Sequence, residues 1–441
     1  MSISQARRPV KRIPFTVRLT YLVFVFSLPF EATNLGFMSG SLSLARLSGL
    51  LFFGFYLFNY GLFPNGRSFA SLPPAMGWFL AYAGIFALNG LLRSSEPYGS
   101  DMTVTLTLAQ LIVFFWFTSD LLKSENMMRL ALLTYASACV LLALGMAGGL
   151  PGFSTEIGEG RIETLGDNAN ASGQHLALAA LILLGFTLNG TFKRWATRKV
   201  LVPLATMFLL AGMVATGSRA AIIAFIIGCI IYVFPHGHAI RFKRILISAL
   251  LAIFGITAVI FFIAKNPNFV ERWEATYYDE NLAGRQDIYG SAIQMFSEEP
   301  VVGWSPAGAF YELGRRVGWN GGRDVHNLIL DLLIGVGIIG AIPFLIGLAL
   351  CVREAWRARR GVLRVLPLAL IAANLTASMS HTNLTWKPQW FVLALTCAAA
   401  SSALARSAKL MSPFAARRTM TLKQGLNVTS RNCCGPKSDP I

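Results

Sequence analysis

Charge is the first scarcity in this chain. Asp, Glu, Lys and Arg make up only 13% of its 441 residues, while 54% are hydrophobic and the mean hydropathy is +0.56. So little charge excludes an ordinary soluble domain and points to a polytopic membrane protein. Acid is scarcer than base, 21 Asp and Glu against 38 Lys and Arg, for a net charge of +17. Cysteine is sparse as well. Cys139, Cys229, Cys351 and Cys397 fall in apolar runs and Cys433 and Cys434 in the C-terminal tail, which excludes a disulfide framework. No Walker A loop, no HExxH and no outward D-x-D pair is present, so neither nucleotide energy nor a tightly held metal or other cofactor is expected. His236 and His238 form an H-x-H pair without further nearby ligand candidates, better read as a solvated loop beside "RFKR".

What is abundant is apolar sequence in blocks. A spanning helix needs roughly 20 mainly apolar residues, and about twelve candidates can be drawn, near 15–31, 42–62, 75–92, 102–122, 128–149, 172–190, 199–216, 219–235, 244–264, 326–350, 362–380 and 387–405. The expected fold class is therefore an all-α polytopic membrane protein with about 12 transmembrane helices. Residues 1–14 read as a basic cytoplasmic segment, 15–405 as a single transmembrane domain, and 406–441 as a cytoplasmic, disordered tail. Residues 19–30 resemble a signal h-region without an A-x-A-like site, which reads as an uncleaved anchor.

The basic residues explain their own excess. Most of the 38 sit in short segments between alternate helices, such as "FKRWATRK", "RFKR" and "REAWRARRGVLR". That is the positive-inside pattern with both termini in the cytoplasm, not a nucleic-acid groove. Counting crossings then places the longest connection, about 265–325 between the ninth and tenth helices, on the outer face, and a loop this long is usually functional. Within it, "GRQDIYGSAIQMF" aligns Ile288, Ala292 and Met295 in a helical stripe, while "EEPVVGWSPAGAF" reads as a turn-rich re-entry. "GFSTEIGEGRIETLGDNANASGQH", "ATGSR" and "SHTNLTWK" share that side, so His175, His326 and His381 face outward.

Three residues stand out there. Arg219 opens a helix whose N-terminus is already positive, and free N–H groups plus a guanidinium make a phosphate site; a snorkelling arginine is the alternative. Arg285, behind Gly284, is a second anion ligand or an exposed partner of Asp287. His326 is the candidate base, since an imidazole near pKa ~6.5 accepts a proton at neutral pH, with Asp324 beside it; a plain interfacial anchor is the competing account. Arg323, Asn327, Ser218 and Asn168 are possible supporting residues, and Asn327 and Asp331 are spaced to bond along one face. Arg161, Asp167, Asn168, Asn170, Gln174 and His175 form a polar lip that any outer loop might carry equally well.

Taken together, "TGSRAA", "GRQDIYGSAIQMFSEEPVVG", the "HN" that opens a helix continuing into "GVGIIG", and "GDNANASGQH" resemble the O-antigen ligase and O-antigen polymerase superfamily of membrane glycosyltransferases. The resemblance implies a GT-C-type architecture in the bacterial inner membrane and a periplasmic site. It implies an undecaprenyl-diphosphate-linked glycan as donor and a lipid A-core or glycan acceptor. It assigns the donor diphosphate to Arg219 and Arg285 and the activation of the acceptor hydroxyl to His326. Two departures accompany it. Gly335 stands where many relatives carry an acid, and "GWSPAG" where they carry a G-x-G turn. Ligation to lipid A-core is the expected reaction, with an O-antigen or exopolysaccharide repeat-unit polymerase as alternative. A transporter is the rival from another class, but it would want ionisable groups near the midplane rather than at the rim.

Overall fold

The computed structural model describes residues 13–31, 43–62, 72–93, 100–151, 153–157, 161–233, 242–265, 285–382 and 384–408, with 267, 270, 271 and 274 as isolated positions. Most of the basic N-terminal segment, Arg67, His236 and His238, Gly284, and the tail from 409 with Cys433 and Cys434 lie outside the described residues.

The chain is a helical bundle. Its helices are α1 (Phe15–Ser27), α2 (Leu44–Leu57), α3 (Met76–Arg93), α4 (Ser100–Leu121), α5 (Glu125–Ala147), α6 (Ala169–Leu188), α7 (Val202–Ala215), α8 (Arg219–Val233) and α9 (Phe242–Ala264). They continue with α10 (Arg285–Glu298), α11 (Pro306–Arg316), α12 (Leu328–Ala358), α13 (Leu366–Ser378) and α14 (Lys387–Ala408). Each apolar run named from the sequence contains one of these helices within the described residues. Among the described residues, α4, α5, α6, α7 with the π-helical turn Thr197–Leu201, α12 and α14 are long and apolar enough to cross a membrane; α1, α8, the second half of α9 and α13 are shorter apolar helices. Among the described residues, the only paired strands form a small antiparallel hairpin, β1 (Thr155–Ile157) and β2 (Arg161–Glu163), in a segment expected to be loop.

Apolar residues outnumber what one face can hold, so α6 is buried nearly all round, as a central helix must be. Around it pack α5, α7, α8 and α13. A second core lies outside this bundle. Ile288, Ala292 and Met295, the stripe expected from the sequence, meet Ala309, Leu313, Val325 and Ile334, which seats α10 and α11 on the start of α12. The "SPAGAF" stretch is thus not a re-entry alone but the first turns of a helix, capped by Ser305, whose Oγ accepts from Gly308 N at 3.0 Å.

The long loop is fixed by a break in α12. Gly337 has φ +60, outside the helical region, so the bonds from Ile338 and Ile339 to the carbonyls four residues back are not made. Each orphaned group finds another partner. Ile338 N donates to Pro300 O at 3.0 Å and Ile339 N to Val301 O at 3.2 Å, while Ile334 O accepts from Trp304 N at 2.8 Å. Gly335 O accepts from Asn89 Nδ2 at 3.0 Å, and the same amide donates to Val302 O at 2.6 Å. The 300–304 turn therefore completes the broken helix like a missing strand of hydrogen bonds. It can do so only because a Cβ on Gly337 would sit 2.3 Å from Val301 O, and one on Gly303 would sit 2.7 Å from Gly337 N. Arg93 Nη1 donates to Gly303 O at 2.8 Å, and buried Asp101 accepts from Ala307 N at 2.7 Å, tying the loop to α3 and α4.

Candidate active site

The "TGSR" motif is a tight connection between α7 and α8. Thr216 Oγ1 donates to Met213 O at 2.7 Å and accepts from Ser218 N at 3.3 Å, Gly217 takes φ +66, and Ser218 Oγ accepts from Ala221 N at 3.3 Å. Arg219 is thereby the first residue of α8, half-buried at the helix mouth. Gly173 on α6 lets this turn approach, because a Cβ there would meet Thr216 Oγ1 at 2.8 Å. Arg161, from β2, crosses to the same turn: its Nε lies 3.5 Å from Thr216 O and its Nη2 3.4 Å from Asn170 Oδ1. The hairpin that the sequence did not disclose thus delivers a second guanidinium to the α8 mouth.

Arg285 opens α10 and donates from Nη2 to Ser380 O at 3.2 Å. That bond spans 95 residues and brings the turn before α14 into the site. His326 sits just before α12, which begins at Leu328, two residues later than the apolar run suggests. Its backbone is in the left-handed region, φ +56, a conformation that costs a non-glycine residue of order 1–3 kcal/mol and collects at functional sites. Tyr289 Oη on α10 lies 3.5 Å from His326 O.

The electrostatics around His326 are one-sided. Burial first, then Arg285, His381, Arg323 and Arg161, push its imidazole down to about 4. His381 is likewise pushed down to about 4, by burial and then by Arg285. Both rings are therefore neutral at pH 7 and able to accept a proton. Nδ1 of each is buried without a hydrogen-bond partner among the described residues. Four cationic or basic groups act on this one imidazole, and no acid is among the causes of its lowered pKa. Arg285, Arg323, Arg161 and His381 are thus all near enough to His326 to act on it, and Arg161 also reaches Thr216 in the turn before Arg219. His381 was not singled out by sequence reasoning. The signal was the polar "SHTN" stretch ahead of the last helix.

The supporting residues have local duties. Asn327 Oδ1 caps α12, accepting from Ile329 N at 3.0 Å and Leu330 N at 3.2 Å. Asn168 Oδ1 caps α6 through Asn170 N at 2.8 Å, and Ser218 caps α8. The expected side-chain bond from Asn327 to Asp331 is replaced by this cap and by Asp331 N donating to Asn327 O. Asp324 is exposed at the rim, and the Arg323 guanidinium lies over Trp319 at 4.6 Å from the ring centre. The polar lip needs correction. Gln174 and His175 are buried inside the bundle, Gln174 donating to Asn374 Oδ1 at 3.0 Å and His175 Nδ1 bonded to Tyr135 Oη at 2.8 Å, because the first turns of α6 lie beneath the hairpin. Asp167 remains at that edge, 4.0 Å from His175 Nε2, with its carboxyl raised to about 7 by burial.

No curated protein matches the chain. Residues 204–345 match the O-antigen ligase family model, about a third of the sequence, running from α7 into α12. Arg219, Arg285 and His326 all fall inside it. Across that stretch the chain is similar to the O-antigen ligase family, and its long apolar helices are those of a membrane protein.

Proposed function

We propose that the protein transfers a glycan from undecaprenyl diphosphate to a sugar hydroxyl, most specifically ligating O-antigen to lipid A-core. On this reading it is a twelve-span, GT-C-type enzyme of the inner membrane with both termini in the cytoplasm and its site in the periplasm. The observation that carries it is the convergence of Arg285, Arg323, Arg161 and His381 on one neutral, strained imidazole.

The diphosphate lies against Arg219 and Arg285, with the first N–H groups of α8 aimed at it. Guanidinium groups bind phosphate in a fixed fork, so the charge that grows on the leaving group is met without a metal. The acceptor hydroxyl attacks the anomeric carbon, its proton passing to His326. The new carbon–oxygen bond forms as the bond to the diphosphate breaks, and that electron pair leaves with undecaprenyl diphosphate. One displacement inverts the anomeric centre. The bound diphosphate also offsets the cations that depress His326, so its basicity rises when the donor is in place.

The test is transfer by the purified protein from a lipid-linked glycan to lipid A-core, without any ion gradient. Arg219→Ala, Arg285→Ala and His326→Ala should each abolish transfer while protein level and membrane insertion hold. Full activity in all three variants overturns the site. In a deletion strain, long polymer left unattached to lipopolysaccharide marks a ligase, and a single capped repeat marks a polymerase.

A further inference from the structure

Beside His326 lies a cavity of about 300 Å³, enclosed by α3, α4, α11, α12 and the turn before α14. Val325, Asp324 and Arg323, the three residues leading into His326, line it. Tyr82, Phe310 and Tyr311 bring aromatic rings to its mostly apolar lining. Asp324 and Asp331 add two carboxyl groups and Thr382 a hydroxyl. Gly335 also faces this space: a Cβ there would meet nothing nearer than Pro306 Cα at 3.7 Å.

Three observations specify an occupant. The Oγ1 of Thr382 is buried with no partner among the described residues, as is Nδ1 of the adjacent His381 and of His326. Buried groups of this kind each cost about 1–3 kcal/mol unless something bonds to them. Aromatic rings together with carboxyl groups in one lining match a pyranose ring, which offers C–H bonds on one side and hydroxyl donors around its edge. The volume stands at the small end of the roughly 300–1,000 Å³ typical of ligand pockets, room for one sugar rather than a chain.

We infer that this cavity holds the acceptor's terminal sugar as a single neutral, hydroxyl-rich pyranose, with Asp331 and Asp324 accepting from its hydroxyls and repelling acidic sugars. The inference rests on the transferase reading of the same site. A uronic acid would bring a third carboxylate to a space that already holds two, and Arg323, the one cation lining it among the described residues, lies over Trp319. Like charges brought together in a partly desolvated pocket discriminate strongly. The donor's diphosphate stays with Arg219 and Arg285, neither of which lines the cavity.

The experiment uses the purified full-length protein, a lipid-linked glycan donor, and tagged acceptors ending in glucose, galactose, heptose, glucuronic acid or galacturonic acid. The acceptors used should be neutral. Asp331→Asn should raise the acceptor KM about tenfold or more, the loss of a hydrogen bond to a charged group, and leave the donor KM unchanged. Tyr311→Ala, at the exposed rim of the cavity, should also raise acceptor KM, and it decides the matter if Asp331→Asn does not fold. Binding of undecaprenyl diphosphate is measured on the same proteins, where Arg285→Ala should lose it and both cavity variants should keep it. An acidic acceptor used as well as the best neutral one, failure with every neutral acceptor, or an unchanged acceptor KM in the cavity variants overturns the inference. A wild-type protein that neither binds nor turns over the donor overturns the transferase reading itself.

Discussion

His326 combines three properties rarely found together by chance: a left-handed backbone, an unpartnered buried nitrogen, and cations that depress its basicity. The strain is affordable because Asn327 caps α12 immediately afterwards and locks the approach. With its imidazole near 4, His326 is unprotonated throughout the neutral range, as the proposed role of proton acceptor requires. The expected kcat/KM is therefore flat from about pH 8 down to about pH 5 and falls below that. His381 is a positioning residue in this scheme. His381→Gln removes one of the groups that depress His326, so the acid limb of the profile should move to higher pH. Loss of packing alone would lower activity without moving the limb, and a pH–rate series on the two proteins separates these outcomes.

At the scale of elements, the decisive feature is the exchange of hydrogen bonds between the 300–304 turn and the broken α12. The exchange fixes where α10 and α11 sit, and hence where Arg285 and the cavity walls are held. Gly337→Ala places a Cβ against Val301 O and forces a strained φ, at a cost of about 1–3 kcal/mol before any clash is relieved. Asn89→Leu leaves the Gly335 and Val302 carbonyls unpaired, at about 1–3 kcal/mol for each buried group. Both variants should lower the melting temperature and expose residues 299–325 to protease. By contrast, Arg315→Ala removes a bidentate bond to Glu312, at 2.7 and 2.8 Å, made by a side chain that is 74% exposed. An ion pair that open to solvent is worth about 1 kcal/mol or less, so this variant should melt close to wild type.

For the whole molecule, the distribution of charge is expected to set the orientation in the bilayer. Topology follows from the basic segments, so it can be read with single cysteines placed on a background lacking the native six. Trp319→Cys, 55% exposed between α11 and α12, should react with a membrane-impermeant maleimide in intact cells after outer-membrane permeabilisation. Trp195→Cys, 72% exposed between α6 and α7, should react only once the inner membrane is opened. The reverse pattern would turn the site toward the cytoplasm and remove the proposed acceptor from reach.

What the sequence determined by itself follows from local physics. Length and hydropathy of the apolar runs dictate helices, the stripe at Ile288, Ala292 and Met295 dictates α10, and a cation at a helix start marks Arg219 as anomalous. Each of these is readable within a few residues of chain. The tertiary structure alone decided which distant groups meet. Arg285 reaches Ser380, Arg161 reaches Thr216, and the 300–304 turn fills the gap at Gly337, all across separations where no periodicity reports. His381 joined the site and His175 left it for the same reason: burial and neighbours are set by how helices pack, and a single strand of sequence carries no record of that packing.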